Sequence, residues 1–185
     1  MRDISLHLMD IIQNSIRAGA SRVDTDVVLG SDGKLVIRVT DDGCGMDEAM
    51  VKAVTNPFVT SRTTRKVGLG IPLLMQNAAL SGGSVSVASV LGEGTTVTAV
   101  FDTASIDCLP LGDLAETFGA LVMSNPDTPD FTLRCKSPSG GEMEFSTMEV
   151  RSALDGVPLN EPDVVAWIVS SIKEEITPLL GGITA

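Results

Sequence analysis

Aromatic residues make up only 3% of this 185-residue chain, with one tryptophan and no tyrosine, so Val, Ile, Leu and Met must fill any core. Cations are also scarce. Thirteen Lys and Arg stand against 24 Asp and Glu, a formal charge of −11. That balance disfavours non-specific binding to DNA, RNA or an anionic membrane. Cys44, Cys108 and Cys135 are an odd, widely spaced set without a CxxC pair. They fit neither a disulfide framework nor a zinc site and suit reduced thiols in the cytoplasm. There is no apolar run of about 18 residues, and the amphipathic, acid-bearing N-terminus is unlike a signal peptide. A soluble cytoplasmic protein is expected. What is present in quantity is aliphatic: 43% of residues are apolar, which supports a packed core and argues against disorder.

Residues 3–18 have Ile4, Leu8, Ile11, Ile12 and Ile16 at helical spacing, closed by Gly19. Asp10 and Asn14 interrupt the side of that helix that ought to be buried. Four residues apart, they share one face, one turn separated. A carboxylate stacked on a carboxamide is a poor core feature and a good way to hold a hydrated metal and a water. Ser21–Leu29 and Leu35–Thr40 read as a hairpin across G-S-D-G. Asp47 is placed to cap a short helix to about Thr55, and residues 56–67 are a polar, basic loop. A helix over Ile71–Leu80 and strands over Ser84–Ser89 and Thr95–Phe101 follow. After Asp102 the character changes. A linker leads to a helix over Leu111–Met123, a hairpin of Phe131–Lys136 and Glu142–Phe145, a short helix over Met148–Leu154, and a final helix over Pro162–Leu180.

Three glycine-rich turns sit between these elements. In D-D-G-C-G-M (41–46), Gly43 and Gly45 permit close backbone approach, and Asp41 can accept a hydrogen bond from an exocyclic amine such as adenine N6. In V-G-L-G-I (67–71), exposed amides and the helix dipole at a loop-to-helix junction favour phosphate oxygens. In G-E-G-T-T-V (92–97), Thr95 can support a water or base contact. Singly, each is also an ordinary turn; in this order, behind a D-x-x-x-N helix, they form a specific series.

That series, over about residues 1–102, resembles the ATP-binding domain shared by DNA gyrase, the Hsp90 chaperone, histidine kinases and MutL, the GHKL (HATPase_c) superfamily. N-S-I-R-A-G-A-S and D-D-G-C-G-M look most like MutL. P-F-V-T-S-R and G-L-G-I-P-L-L look more like histidine kinases and anti-sigma-factor kinases. The resemblance implies a two-layer α/β (α+β) sandwich, the Bergerat ATP-binding fold, with a mixed sheet and its helices on one face. It implies Asn14 as a Mg²⁺ ligand, Asp41 as the adenine-reading acid, and Gly43, Gly45 and Met46 lining the adenine. Gly68, Leu69 and Gly70 would cradle phosphates, Thr95 would back the adenine pocket, and Arg62, Arg65 and Lys66 would lie in a lid over the phosphates.

One departure matters. Where hydrolysing members carry a general-base Glu, this chain has Asp10, one methylene shorter. The resemblance therefore implies an Mg·ATP-binding protein that hydrolyses slowly or switches conformation to regulate an unidentified protein partner. The alternatives are a serine kinase of the anti-sigma type and a non-hydrolysing nucleotide-gated module. With a helix beginning at residue 3, no phosphoacceptor hairpin like that of a histidine kinase is expected, and His7, the only histidine, is expected in a core or flanking role. Residues 103–185 read as a small α+β appendage for docking or dimerisation, with a weaker resemblance to small ATP-binding proteins found with iron hydrogenases.

Overall fold

The computed structural model describes residues 2–55 and 70–183. Helix α1 (Ile4–Arg17) starts where the Asp3 carboxylate accepts the Leu6 amide at 2.9 Å, and it ends before Gly19 at φ +73°. The strands are β1 (Arg22–Leu29), β2 (Lys34–Asp41), β3 (Ser84–Val90), β4 (Gly94–Asp102), β5 (Asp130–Lys136) and β6 (Glu142–Ser146). They form one sheet in the order β3-β4-β2-β1-β5-β6. Only the β1–β5 pair is parallel, so the sheet is mixed and runs unbroken across residue 103.

Strand alternation gives the sheet two different faces. Ile37 pairs with Val27 on one side and Ala99 on the other, and Val27 pairs with Cys135, which places all four on one buried face. The opposite face puts Asp26 beside both Arg38 and Arg134 and closes with an Arg134–Glu144 ion pair at 2.7 Å. Such half-exposed pairs contribute little individually; their main effect is to keep that face wet.

The buried face is covered by α1, by α3 (Gly70–Leu80) through Leu74 and Ala78, by α4 (Leu114–Ser124) through Phe118 and Leu121, and by α6 (Pro162–Leu180) through Ile168, Ile172 and Ile176. Two short helices, α2 (Glu48–Thr55) and α5 (Thr147–Ala153), complete the elements of the described residues. This is the expected two-layer arrangement of helices on one face of a mixed sheet. Residues from both sides of Asp102 enter a single apolar cluster, from Phe101 to Phe118 and Phe131, each 0% exposed.

The expected helix over Leu111–Met123 begins later, at Leu114, for a physical reason. The Asp113 carboxylate caps it by accepting the Glu116 amide at 3.0 Å. Pro110 and Leu111 are used elsewhere: their carbonyls accept the Ile4 and Ser5 amides at 3.0 and 2.9 Å, meeting donors that the start of α1 leaves open.

Candidate nucleotide site

The site is assembled at one end of α1, β2 and β4. Asp41, the last residue of β2, is half-buried. Its Oδ2 accepts the Ser15 hydroxyl at 2.5 Å and its Oδ1 accepts the Gly43 amide at 2.9 Å. Each carboxylate oxygen has a further acceptor direction, so Asp41 is aimed without being used up. Asp42 has a different job. It accepts the Ser21 hydroxyl and the Ser21 and Arg22 amides, and those bonds, the Ser21 hydroxyl first, hold its carboxyl below the usual range. The two adjacent aspartates are thereby separated: Asp42 staples the start of β1, and Asp41 faces the site.

The glycines of the 41–46 turn are required by the chain itself. A Cβ on Gly43 would stand 2.9 Å from the Ala18 Cβ, and one on Gly45, at φ +63°, would run into the Val90 carbonyl oxygen. The turn is pinned at three points. Cys44 donates its amide to Ala18 at 2.9 Å, Gly92 donates to the Cys44 carbonyl at 2.8 Å, and Met46 donates to the Ser89 hydroxyl oxygen at 2.8 Å. Ser89 in turn bonds the Gly94 carbonyl at 2.8 Å and the Thr95 hydroxyl at 2.9 Å. Thr95 is the register partner of Asp41 across β2–β4, so Asp41, Met46 and Thr95 belong to one connected cluster.

The neighbouring turns of α1 supply the rest. Asn14, half-buried beside Ser15, has its Oδ1 held by Arg17 at 3.2 Å. One turn earlier, the Asp10 carboxylate lies against the start of α3: a Cβ on Gly70 would be 3.1 Å from Asp10 Oδ2. Among the described residues no hydrogen-bond donor is committed to the Asp10 carboxylate. Farther along, His7 is 1% exposed, and its Nε2 lies 2.8 Å from the Asn77 amide nitrogen, tying α1 to α3. Among the described residues its Nδ1 has no partner, and burial lowers its pKa, so the ring is kept neutral. That is the core role expected for it.

The structure therefore places Asp10, Asn14, Asp41, Gly43, Gly45, Met46, Gly70 and Thr95 along one helix and the turns beside it. Arg62, Arg65, Lys66, Gly68 and Leu69 lie outside the described residues. Two site residues had no sequence reading at all, Ser15 and Ser89. Ser15 follows Asn14 directly, and Ser89 sits among alternating serines and valines of an edge strand; their roles come from contacts 26 and 43 residues away.

No group of three or more His, Cys, Asp or Glu side chains fit to hold a metal occurs among the described residues. The donors present, the Asn14 amide oxygen and a nearby carboxylate, suit a Mg²⁺ whose other ligands are phosphates and waters.

Comparison with known proteins gives the family. The family model for histidine kinase-, DNA gyrase B-, and HSP90-like ATPases matches residues 2–105. The signal transduction histidine-protein kinase AtoS of Escherichia coli is 30% identical over 95 residues, covering 50% of this chain and 16% of that protein. The DNA mismatch repair protein MutL of Paramagnetospirillum magneticum is 52% identical over 44 residues, 23% of this chain and 7% of that one. The chain thus corresponds to a small part of the length of these relatives. A solved structure of the N-terminal domain of a DNA repair protein shares the fold at a TM-score of 0.54 and 14% identity, covering 79% of this chain and 53% of that one. With a family model spanning more than half its length, the chain belongs to the histidine kinase-, DNA gyrase B-, and HSP90-like ATPases.

Proposed function

We propose that this protein binds Mg²⁺·ATP and uses it for slow hydrolysis or a conformational switch that regulates a partner protein. The observation that carries the reading is Asp41. It is a carboxylate fixed by Ser15 and Gly43 with acceptor capacity to spare, at the mouth of a turn whose glycines keep the backbone close-packed. An exocyclic amine of adenine is the complementary donor. Met46 and Thr95, joined through Ser89, would border the base.

Asn14 is the side chain suited to reach a metal on the phosphates, with Arg17 fixing its amide so that the oxygen is oriented. The metal, when bound, would neutralise charge on the transferred phosphoryl group. Gly70 opens α3, and the amides of Gly68, Leu69 and Gly70 are the candidate phosphate cradle, with Arg62 and Lys66 as candidate lid cations. Asp10, packed on Gly70, would orient a water or a substrate hydroxyl. Its short side chain favours slow turnover over fast.

The experiment is phosphate release from γ-labelled ATP by the wild type and Asp10→Asn. Slow release that disappears in the variant, with ATP affinity retained, supports the role of Asp10. Brisk release that does not depend on Asp10 overturns it. Label transferred to a co-purifying protein would instead direct the same carboxylate at a partner's serine hydroxyl.

A further inference from the structure

The half of the chain after Asp102 carries a surface that the nucleotide site does not use. Between α5 and α6 lies a groove of about 410 Å³ lined by Val150, Ala153, Leu154, Asp163, Val164 and Trp167. Trp167 is 56% exposed although it is the sole tryptophan, and Val157, bonded through its amide to the Leu154 carbonyl at 3.2 Å, is 43% exposed. Large apolar side chains left in water beside a preformed groove mark an interaction surface more often than a fold requirement.

The charge around the groove selects its occupant. Asp163 lines it, Glu149 lies one turn from Ala153 on α5, and Asp155 and Glu161 flank the two helices; all four are exposed. Among the described residues none of them enters an ion pair. The cations of the same two helices are committed elsewhere. Arg151 binds Asp130 at 2.5 Å and the Pro126 carbonyl at 3.0 Å, and Lys173 binds Asp113 at 3.3 Å. An apolar floor with an uncompensated acidic rim repels an anionic bilayer. It also repels a second copy of this chain, which brings its own charge of −11.

We propose that the α5–α6 groove docks a basic amphipathic helix of a partner protein, with aliphatic side chains on the floor and Lys or Arg against the acidic rim. Because Trp167 is the only tryptophan, its emission reports on the groove in the full chain. The probe is a helical leucine–lysine peptide of about 14 residues, four turns long. It should produce a saturable blue shift of Trp167 emission. Its leucine-to-serine and lysine-to-glutamate counterparts should produce none.

The double variant Glu149→Lys/Asp163→Lys, at two exposed positions that cost the fold little, should bind the lysine peptide about tenfold more weakly and acquire binding of the glutamate peptide. Asp107→Lys, at an exposed position in the linker, should leave both affinities as in the wild type. Equal binding of the glutamate or leucine-free peptide by the wild type overturns the proposal. So does an unchanged affinity in the double variant, or the absence of any saturable change in emission.

Discussion

The two halves of the chain on either side of Asp102 both bury polar groups but put them to different uses. After Asp102, Phe118, Phe131, Leu133, Ile168 and Ile172 are at most 1% exposed, and Phe118 meets Phe145 edge-on with ring centres 6.5 Å apart. The buried Thr147 hydroxyl there accepts the Phe131 amide at 2.8 Å and donates to Asp130 at 3.1 Å, which ties this half to itself. Before Asp102, Ser15 is matched to Asp41 and His7 to Asn77, while among the described residues the Thr25 hydroxyl has no partner. The scaffold half turns its buried polar groups inward. The site half uses Ser15 to aim a carboxylate. In the single sheet, strands β5 and β6 flank β1, the strand beside the site strand β2.

The largest test of this contrast is Leu133→Ala. Leu133 is 0% exposed at the centre of β5, and its truncation should cost about 2–5 kcal/mol of unfolding free energy. ATP affinity measured well below the melting temperature should stay within about twofold, because additivity holds for distant sites. A chemical denaturation curve and a binding titration on the same sample check both halves of that statement. Ser15→Ala should do the reverse. Removing the hydroxyl on Asp41 Oδ2 should weaken ATP binding by about fivefold to twentyfold, near 1–1.8 kcal/mol, with a smaller change in stability. If Ser15→Ala unfolds the protein and leaves affinity intact, the division between the halves fails.

How far each half could be read before folding follows from the same contrast. The final helix, Pro162–Leu180, was fully legible: proline suits its first turn, and Val164, Ile168, Ile172 and Ile176 recur on one side. The strands were legible from runs of β-branched residues bounded by turn residues such as G-S-D-G. The start of α4 was not, since Leu111 is held by the Ser5 amide and by the Ile183 carbonyl, contacts no local pattern encodes. In the site, Asp41, Gly43 and Gly45 stood out because their turn keeps its place in an ordered series of glycine-rich turns behind a D-x-x-x-N helix. Ser15 and Ser89 did not, because a serine acquires its role only when a distant acceptor or donor is brought to it.

Smaller effects sharpen the comparison. Thr25 is 0% exposed on the apolar face of β1, and among the described residues its hydroxyl has no partner, so Thr25→Val should raise stability by about 1 kcal/mol. A loss of that size would reveal a hidden polar partner. The pH dependence of stability should carry a contribution from His7. Burial lowers its folded pKa below the ordinary histidine value of about 6.5, so the unfolded chain takes up the proton more readily. Stability from this residue is therefore present at neutral pH and lost as pH falls below about 6.5. His7→Gln, followed by denaturant midpoints between about pH 7.5 and 5.5, should show a flatter profile than the wild type over that interval.

The central claim is that Asp41 is the group that reads the nucleotide. Calorimetric titration of Mg²⁺·ATP into the wild type and Asp41→Asn tests it most directly. The account predicts a loss of at least about 100-fold in affinity, near 2.7 kcal/mol, in a variant that still folds. Binding of ATP to Asp41→Asn at wild-type affinity would contradict it.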